Sequence, residues 1–198
     1  MPDPATPSQT VDLSTVKALA HPLRQRILRR LAVDGPATST TLASELGVTS
    51  GGTSYNLRVL AEHGLIEEVP ERGHGRERWW RHVRADLRMP LASQQDPAMR
   101  SALNELHSLW LAEDLESLGR FESTRHELGE WADALVYSRG GIHVTTDELR
   151  AFFEEYVALL MRYARPAEQA PTGARRVLTR LLAFPETSTT EPPEETTS

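Results

Sequence analysis

The sequence predicts a mainly α-helical chain with one small β-hairpin in its first half. Two observations carry this. Apolar residues recur at three- and four-residue spacing through 22–33, the stretch after Thr49, 97–129 and 145–163, the period of a helix with one buried face. In the first half, only 65–69 and 78–83 are β-prone, and Gly73 and Gly75 lie between them, which makes a hairpin with a loose tip.

A first helix is expected over 13–20, with Leu13, Val16, Leu19 and Ala20 on one side. His21-Pro22 interrupts it, and proline suits the first position of the next helix, Pro22 to Val33. Its apolar stripe is Leu23, Ile27, Leu28 and Leu31, with Arg24, Arg26, Arg29 and Arg30 around the rest. Asp34-Gly35-Pro36 turns the chain, and Thr38 caps a third helix from about Ser39 to Leu46. Gly47-Val48 makes a tight turn into a fourth helix that Gly64 stops. The hairpin follows.

Beyond Leu87 a long helix is expected from Pro97 to about Gly129, with Leu103, Leu106, Trp110, Leu115, Leu118 and Phe121 as its seam. Thr145 and Glu148 have capping-box spacing and start a helix to about Tyr163. Its buried face would be Leu149, Phe152, Phe153, Tyr156, Leu159 and Leu160. Arg176–Phe184 alternates loosely and is read as a strand, paired with Leu135–Ser138 or Ile142–Val144. The organisation expected is a disordered tail over 1–11, one domain over 12–90, a helical region over 91–185 and a disordered acidic tail over 186–198. The tails, rich in Pro, Ser and Thr, have too little to bury against the entropy of ordering.

The net charge of −6 conceals an asymmetry. Residues 13–90 hold twelve Lys and Arg against eight Asp and Glu; residues 91–198 hold ten against eighteen. A basic half in an acidic chain suggests an anionic partner for that half. With no cysteine, disulfides and thiolate metal sites are excluded. No apolar run is long enough for a bilayer, and no signal-peptide layout opens the chain, so a cytoplasmic location with no membrane partner is expected. A nucleophile elbow, a phosphate-cradling glycine loop and a His-Glu-x-x-His pair are also missing, so no enzyme is expected.

The fourth helix opens on Gly51 and Gly52, each costing a helix roughly 0.5–1 kcal/mol relative to alanine. Two helices joined by a short glycine-containing turn have the spacing of a helix-turn-helix, whose second helix enters the DNA major groove. Glycine there removes side chains where the helix start must approach phosphates, leaving N–H groups and the positive dipole end facing an anion. The competing reading is tight packing against the preceding helix, or a frayed start. On the groove-reading view, Thr49 is the N-cap, and Ser50, Gly51, Gly52, Thr53, Ser54, Tyr55 and Arg58 form the DNA-reading set. The hairpin tip carries Arg72, His74, Arg76 and Arg78, a basic loop placed to reach neighbouring phosphates or the minor groove. Trp79 and Trp80 are consecutive, so a strand points them to opposite faces; one should plug the core.

These elements together resemble the ArsR-type winged helix-turn-helix regulators. The carriers are Ala20-His21-Pro22-Leu23-Arg24 to Ile27-Leu28, then Leu46-Gly47, Thr49, Ser54, Leu57 and Leu60, and a wing ending Gly75-Arg76-Glu77-Arg78-Trp79-Trp80-Arg81. Asn56 stands where that family usually has histidine. The likeness covers about residues 13–85. It implies a homodimer that binds double-stranded DNA at an imperfect palindrome near promoters, usually as a repressor. Many such proteins release DNA on binding metal. Here the cysteine-bearing site has no counterpart, and His107 and His126 do not reproduce the spacing of the site on the last helix, so neither metal nor cofactor is expected.

A palindrome reader must be two-fold, and Leu13, Val16, Leu103, Leu106 and Trp110 are the expected dimer contacts. The aromatic helix over 145–163 suggests a cleft for a small-molecule effector beside the simpler reading as core. The alternative function is a winged-helix protein-interaction module without specific DNA binding.

Overall fold

The computed structural model describes residues 9–73, 77–83, 86–165 and 169–187. The elements are β1 (Gln9–Thr10), α1 (Leu13–Leu19), α2 (Pro22–Asp34), β2 (Ala37–Thr38), α3 (Ser39–Leu46), α4 (Ser50–Glu62), β3 (Ile66–Glu68), β4 (Trp79–His82), β5 (Leu87–Arg88), α5 (Pro97–Thr124) and α6 (Thr146–Tyr163). The expected class holds: mainly helical, with a small antiparallel sheet beside the first four helices.

Side-chain caps set most helix starts. Asp12, Thr38, Thr49, Asp96 and Thr145 each accept a bond from a backbone N–H in the first turn of α1, α3, α4, α5 and α6. Pro22 opens α2, but the residue before it does not cap. The Nδ1 of His21 is buried without a hydrogen-bond partner, and burial, with Arg24 next, holds its pKa below the usual histidine value. Gly47 (φ 65°) and Gly64 (φ 64°) end α3 and α4 in the left-handed region, where a Cβ would be strained.

The sheet runs in the order β2-β4-β3, all antiparallel, with Ala37 opposite Trp80 and Glu67 opposite Arg81. The two-residue strand β2 extends the expected hairpin to three strands. Its partner β4 pins the turn between α2 and α3 to the hairpin.

The core joins Val16 and Leu19 of α1, Ile27 and Leu31 of α2, Leu42 of α3, Leu57 and Leu60 of α4, and Ala102, Leu103 and Leu106 of α5. Fully burying each large aliphatic chain contributes about 1.5–3 kcal/mol. Truncating Leu60, 0% exposed, would therefore cost about 2–5 kcal/mol through the lost transfer and the cavity left behind. Trp110 donates Nε1–H to Gln25 Oε1 at 3.3 Å, and Gln25 Nε2 donates to the Leu19 carbonyl at 2.7 Å, so α5 is tied to the α1–α2 corner.

Four expectations are corrected. Residues 9–11 of the expected tail are ordered: β1 pairs in parallel with β5, and Val11 is buried and donates its N–H to the Arg88 carbonyl at 3.0 Å. Residues 1–8 lie outside the described residues, as do 188–198 of the acidic tail. Val16, Leu103 and Leu106, expected as dimer contacts, lie inside the chain's own core at 0%, 3% and 0% exposure. Leu13 and Trp110 pack half-buried against that core. A helical seam records burial without recording against what, and here the partner is α1.

The aromatic face of α6 is not buried: no residue of that helix is, and Phe152, Phe153 and Leu159 are exposed. Finally, neither Arg176–Phe184 nor 135–138 nor 142–144 forms a strand. The chain divides after Arg165 into two units, and residues 174–187 of the second are irregular and almost wholly exposed. No helix among the described residues is long and apolar enough to cross a membrane.

Candidate nucleic-acid interface

The turn between α3 and α4 is built from the backbone outward. Left-handed Gly47 lets Val48 N–H return to the Ala43 carbonyl at 3.0 Å. Thr49 then takes an extended conformation and accepts from Gly52 N–H at 3.2 Å. Leu57 and Leu60 turn inward, and the opposite side of α4 presents Ser50, Gly51, Ser54, Tyr55 and Arg58 to solvent. Tyr55 is 59% exposed.

The glycine pair separates into two cases. A Cβ on Gly51 would meet nothing within 4 Å, so packing against α3 does not require glycine there. On Gly52 it would lie 3.1 Å from Thr49 Oγ1, pressing on the cap. At Gly52 a side chain would therefore push the cap by a few tenths of an ångström, whereas Gly51 has no internal reason.

One expected reader turns inward. Thr53 is 0% exposed and donates its hydroxyl to the Thr49 carbonyl at 3.0 Å, so it braces the first turn and offers no hydroxyl to a base. Position 53 lies four residues from both Thr49 and Leu57, on their side of the helix. The Ser54 hydroxyl is 2.7 Å from that of Ser39 at the start of α3. A cleft of about 240 Å³ opens between α3, α4 and β4, lined by Ser39, Thr40, Ser54, Arg58, Arg78 and Trp80 among others. Ser39 and Thr40 belong to this surface although sequence reasoning did not select them; the signal available was the Thr38 cap, which turns the next residues outward.

In the wing, Arg72 and Arg78 are exposed. Arg72 lies over the Trp79 ring, 5.7 Å from its centre, and Arg78 is 3.9 Å from Glu68. Trp80 packs against the core, the plug expected of one of the two tryptophans. His74 and Arg76 lie outside the described residues. Among the described residues Arg58 makes no ion pair, so it and the two wing arginines are the cations facing outward here.

The arginines of α2 do other work. Arg26 donates to the Leu46 carbonyl at 2.8 Å, Arg29 pairs with Glu113 of α5 at 2.9 Å, and Arg30 pairs with Glu45 at 2.6 Å. The Arg30 hydrogen bond holds the Glu45 carboxyl below its usual pKa. Arg24 donates Nε–H to the Ala18 carbonyl at 2.5 Å and an Nη2–H to that of Lys17 at 2.9 Å. These side chains cap helix ends and bridge helices, so the expected basic face of α2 is largely consumed inside the fold.

A family model described as a helix-turn-helix domain matches residues 19–69. No curated protein matches the chain. Among solved structures, the chain is similar to a possible transcriptional regulatory protein from Mycobacterium bovis (fragment 1–100), with 24% identity over 51% of this chain and 88% of that one, at a TM-score of 0.33. It is similar to a possible transcriptional regulator for arsenical resistance, 27% identical over 57% of this chain and 95% of that one, at 0.31. A mutant of the Lactococcus lactis protein ZitR in apo form is 18% identical over 73% of this chain and 84% of its own, at 0.33. With the α3–turn–α4 geometry and the three-stranded sheet beside it, the family match makes residues 19–69 part of a winged helix-turn-helix domain.

Proposed function

We propose that the chain is a sequence-specific, DNA-binding transcriptional regulator that acts as a homodimer on a palindromic operator, as a repressor. The observation that carries this is the outer side of α4, where Ser50, Gly51, Ser54, Tyr55 and Arg58 are exposed and Ser54 and Arg58 share a cleft with Arg78 of the wing, while packing demands none of them. Hydroxyls, a phenol and a guanidinium are the groups that read base edges and phosphates. Thr49 and Thr53 support that surface from behind, and His74 and Arg76 extend it on sequence grounds. Residues 12–90 are the DNA-binding part in this reading, and 91–185 supply dimerisation and effector response.

Leu111, Leu115 and Leu118 support the dimer. They are 52%, 60% and 42% exposed, and their spacing places them on one side of α5. A second copy covering them would supply the second reading helix that a palindrome requires. The exposed rings of Phe152 and Phe153 favour an apolar effector that acts at α6; a rise in melting temperature in a metabolite screen would identify one.

The function is tested by fluorescence anisotropy of the full chain on DNA from upstream of its own gene, against scrambled DNA of equal composition, across a salt series. A preference of about 10³-fold or more is expected for an operator. Equal, weak and steeply salt-dependent binding to every upstream fragment would instead favour the interaction-module reading.

A further inference from the structure

Two adjacent glycines leave the first turn of α4 intrinsically soft, yet base reading needs that turn held within a fraction of an ångström. The peptide groups of Gly52 are gripped from both sides. Its N–H is taken by the Thr49 hydroxyl at 3.2 Å, and its carbonyl accepts from the Asn56 side-chain Nδ2 at 2.8 Å. Asn56 is 6% exposed, and its Oδ1 accepts from Arg24 Nη1 at 3.3 Å. Arg24 is in turn anchored on the Lys17 and Ala18 carbonyls at the end of α1.

The amide orientation of Asn56 is dictated by its neighbours. A guanidinium can only donate, so it must face Oδ1; a carbonyl can only accept, so it must face Nδ2. An amide therefore satisfies both partners at once, whereas a carboxylate would lack the donor. Lysine at position 24 would likewise lack the planar fork that spans two carbonyls and an amide oxygen.

We propose that Arg24 and Asn56 are positioning residues for DNA reading: Arg24 acts through Asn56 to fix the Gly52 carbonyl, and with it the orientation of Ser54 and Tyr55 toward the bases. This rests on the reading of α4 as the groove-reading helix. It assigns Arg24 to specificity without contact with DNA, and it makes the end of α1, which packs on α5, the support of the reading surface.

The test uses the full chain and a duplex that the wild-type chain selects from a random library. Its Kd is compared with that for random duplex, well below each variant's melting temperature. Asn56→Ala and Arg24→Gln are each expected to lower the selected-to-random ratio by at least about fivefold, the lower end of what one base contact contributes. Arg24→Lys should lose the ratio as Arg24→Gln does, although it keeps the charge. Affinity for random DNA and its salt slope should stay at the wild-type level. In the double variant, Arg24→Gln should add less than about twofold to the loss from Asn56→Ala, because one contact cannot be broken twice.

An unchanged ratio in Asn56→Ala, or losses that multiply in the double variant, would overturn the inference. So would an Arg24→Gln variant whose random-DNA affinity falls and whose salt slope drops by about one, since that marks a phosphate contact. If the wild-type chain selects no sequence at all, the functional reading fails and this inference with it. Selection by wild type with unaltered variants overturns the inference alone.

Discussion

Arg88 closes a two-pronged ion pair on Glu154, with Nη1 and Nη2 lying 2.8 and 3.1 Å from the two carboxylate oxygens. The same guanidinium is bonded by Asp86 at 2.9 Å and lies 5.1 Å from the centre of the Phe153 ring. Asp86 first and Glu154 second hold the Arg88 pKa above its usual value. Because α6 buries no residue, this junction ties it to the strand that follows the wing. The carboxylate is 61% exposed, so the pair and the ring contact together contribute about 1 kcal/mol. Arg88→Ala should speed amide hydrogen exchange in α6 about fivefold while leaving β3 and β4 unchanged. High salt should move the wild-type chain in the same direction. Unchanged exchange would mean that other contacts hold the helix.

Thr53 and Tyr55, two residues apart, should fail in different ways. Tyr55→Ala removes a largely exposed ring, so the melting temperature should move little while discrimination between operator and random DNA falls by about 1–3 kcal/mol. Thr53→Ala removes a buried hydroxyl bonded to the Thr49 carbonyl and should cost about 1 kcal/mol of stability. Its effect on the operator should follow only from that loss. Thermal unfolding and anisotropy on the same two proteins separate the outcomes; intact specificity in Tyr55→Ala would move the reading surface elsewhere.

Gly51→Ala should make the free protein more stable and a poorer DNA binder. The added methyl meets nothing within 4 Å, so the helix gains about 0.5–1 kcal/mol. The same methyl stands where the backbone would meet a phosphate, and affinity should fall for operator and random DNA alike. Gly52→Ala should bring no stabilisation, because its Cβ presses on the Thr49 cap at 3.1 Å. If Gly51→Ala binds as well as wild type, close approach is not the reason for that glycine.

Much of this was legible in the sequence. Pro22, Thr38, Gly47, Thr49 and Gly64 are local signals, and α2, α3 and α4 begin or end within two residues of them. The strands β1 and β2 were not legible, because each is two residues long and exists only through a distant partner, Leu87–Arg88 or Trp79–Trp80. The α2 arginines look like a basic face by periodicity. Whether a guanidinium meets solvent or a helix-end carbonyl is a tertiary fact that no spacing encodes. Of the set expected on α4, Ser50, Gly51, Ser54, Tyr55 and Arg58 are exposed, whereas Thr53 is buried: a hydroxyl that suggested a ligand contact supplies a brace.

The start of α1 predicts an acid limit. Asp12 accepts from Thr15 N–H at 2.8 Å and from the Ser14 hydroxyl, and these bonds, those from Thr15 foremost, lower its pKa from 3.8 to about 2. A carboxylate with a depressed folded-state pKa stabilises the fold fully above its unfolded value. That stability is lost as pH falls through the folded value. The melting-temperature difference between wild type and Asp12→Ala should therefore be constant above about pH 5 and shrink between 3.8 and about 2. A difference that persists unchanged at pH 2 would show that the cap does not depend on the charge.

Dimerisation should depend on the far half of α5 and not on its buried half. Leu106 is 0% exposed and Leu115 is 60% exposed; nine residues apart, they fall on opposite sides of the helix. Leu106→Asp places a charge in the core shared with Val16 and Leu103 and should unfold the domain, so loss of DNA binding there says nothing of assembly. Leu115→Asp should leave the circular dichroism and melting of the winged helix intact and shift sedimentation to the monomer mass of 22.1 kDa. Operator affinity should then fall by about 10²-fold or more, because the two half-sites are no longer engaged together. A Leu115→Asp protein that still sediments as a dimer would place the two-fold contact on another surface, with the apolar face of α6 the next to be charged.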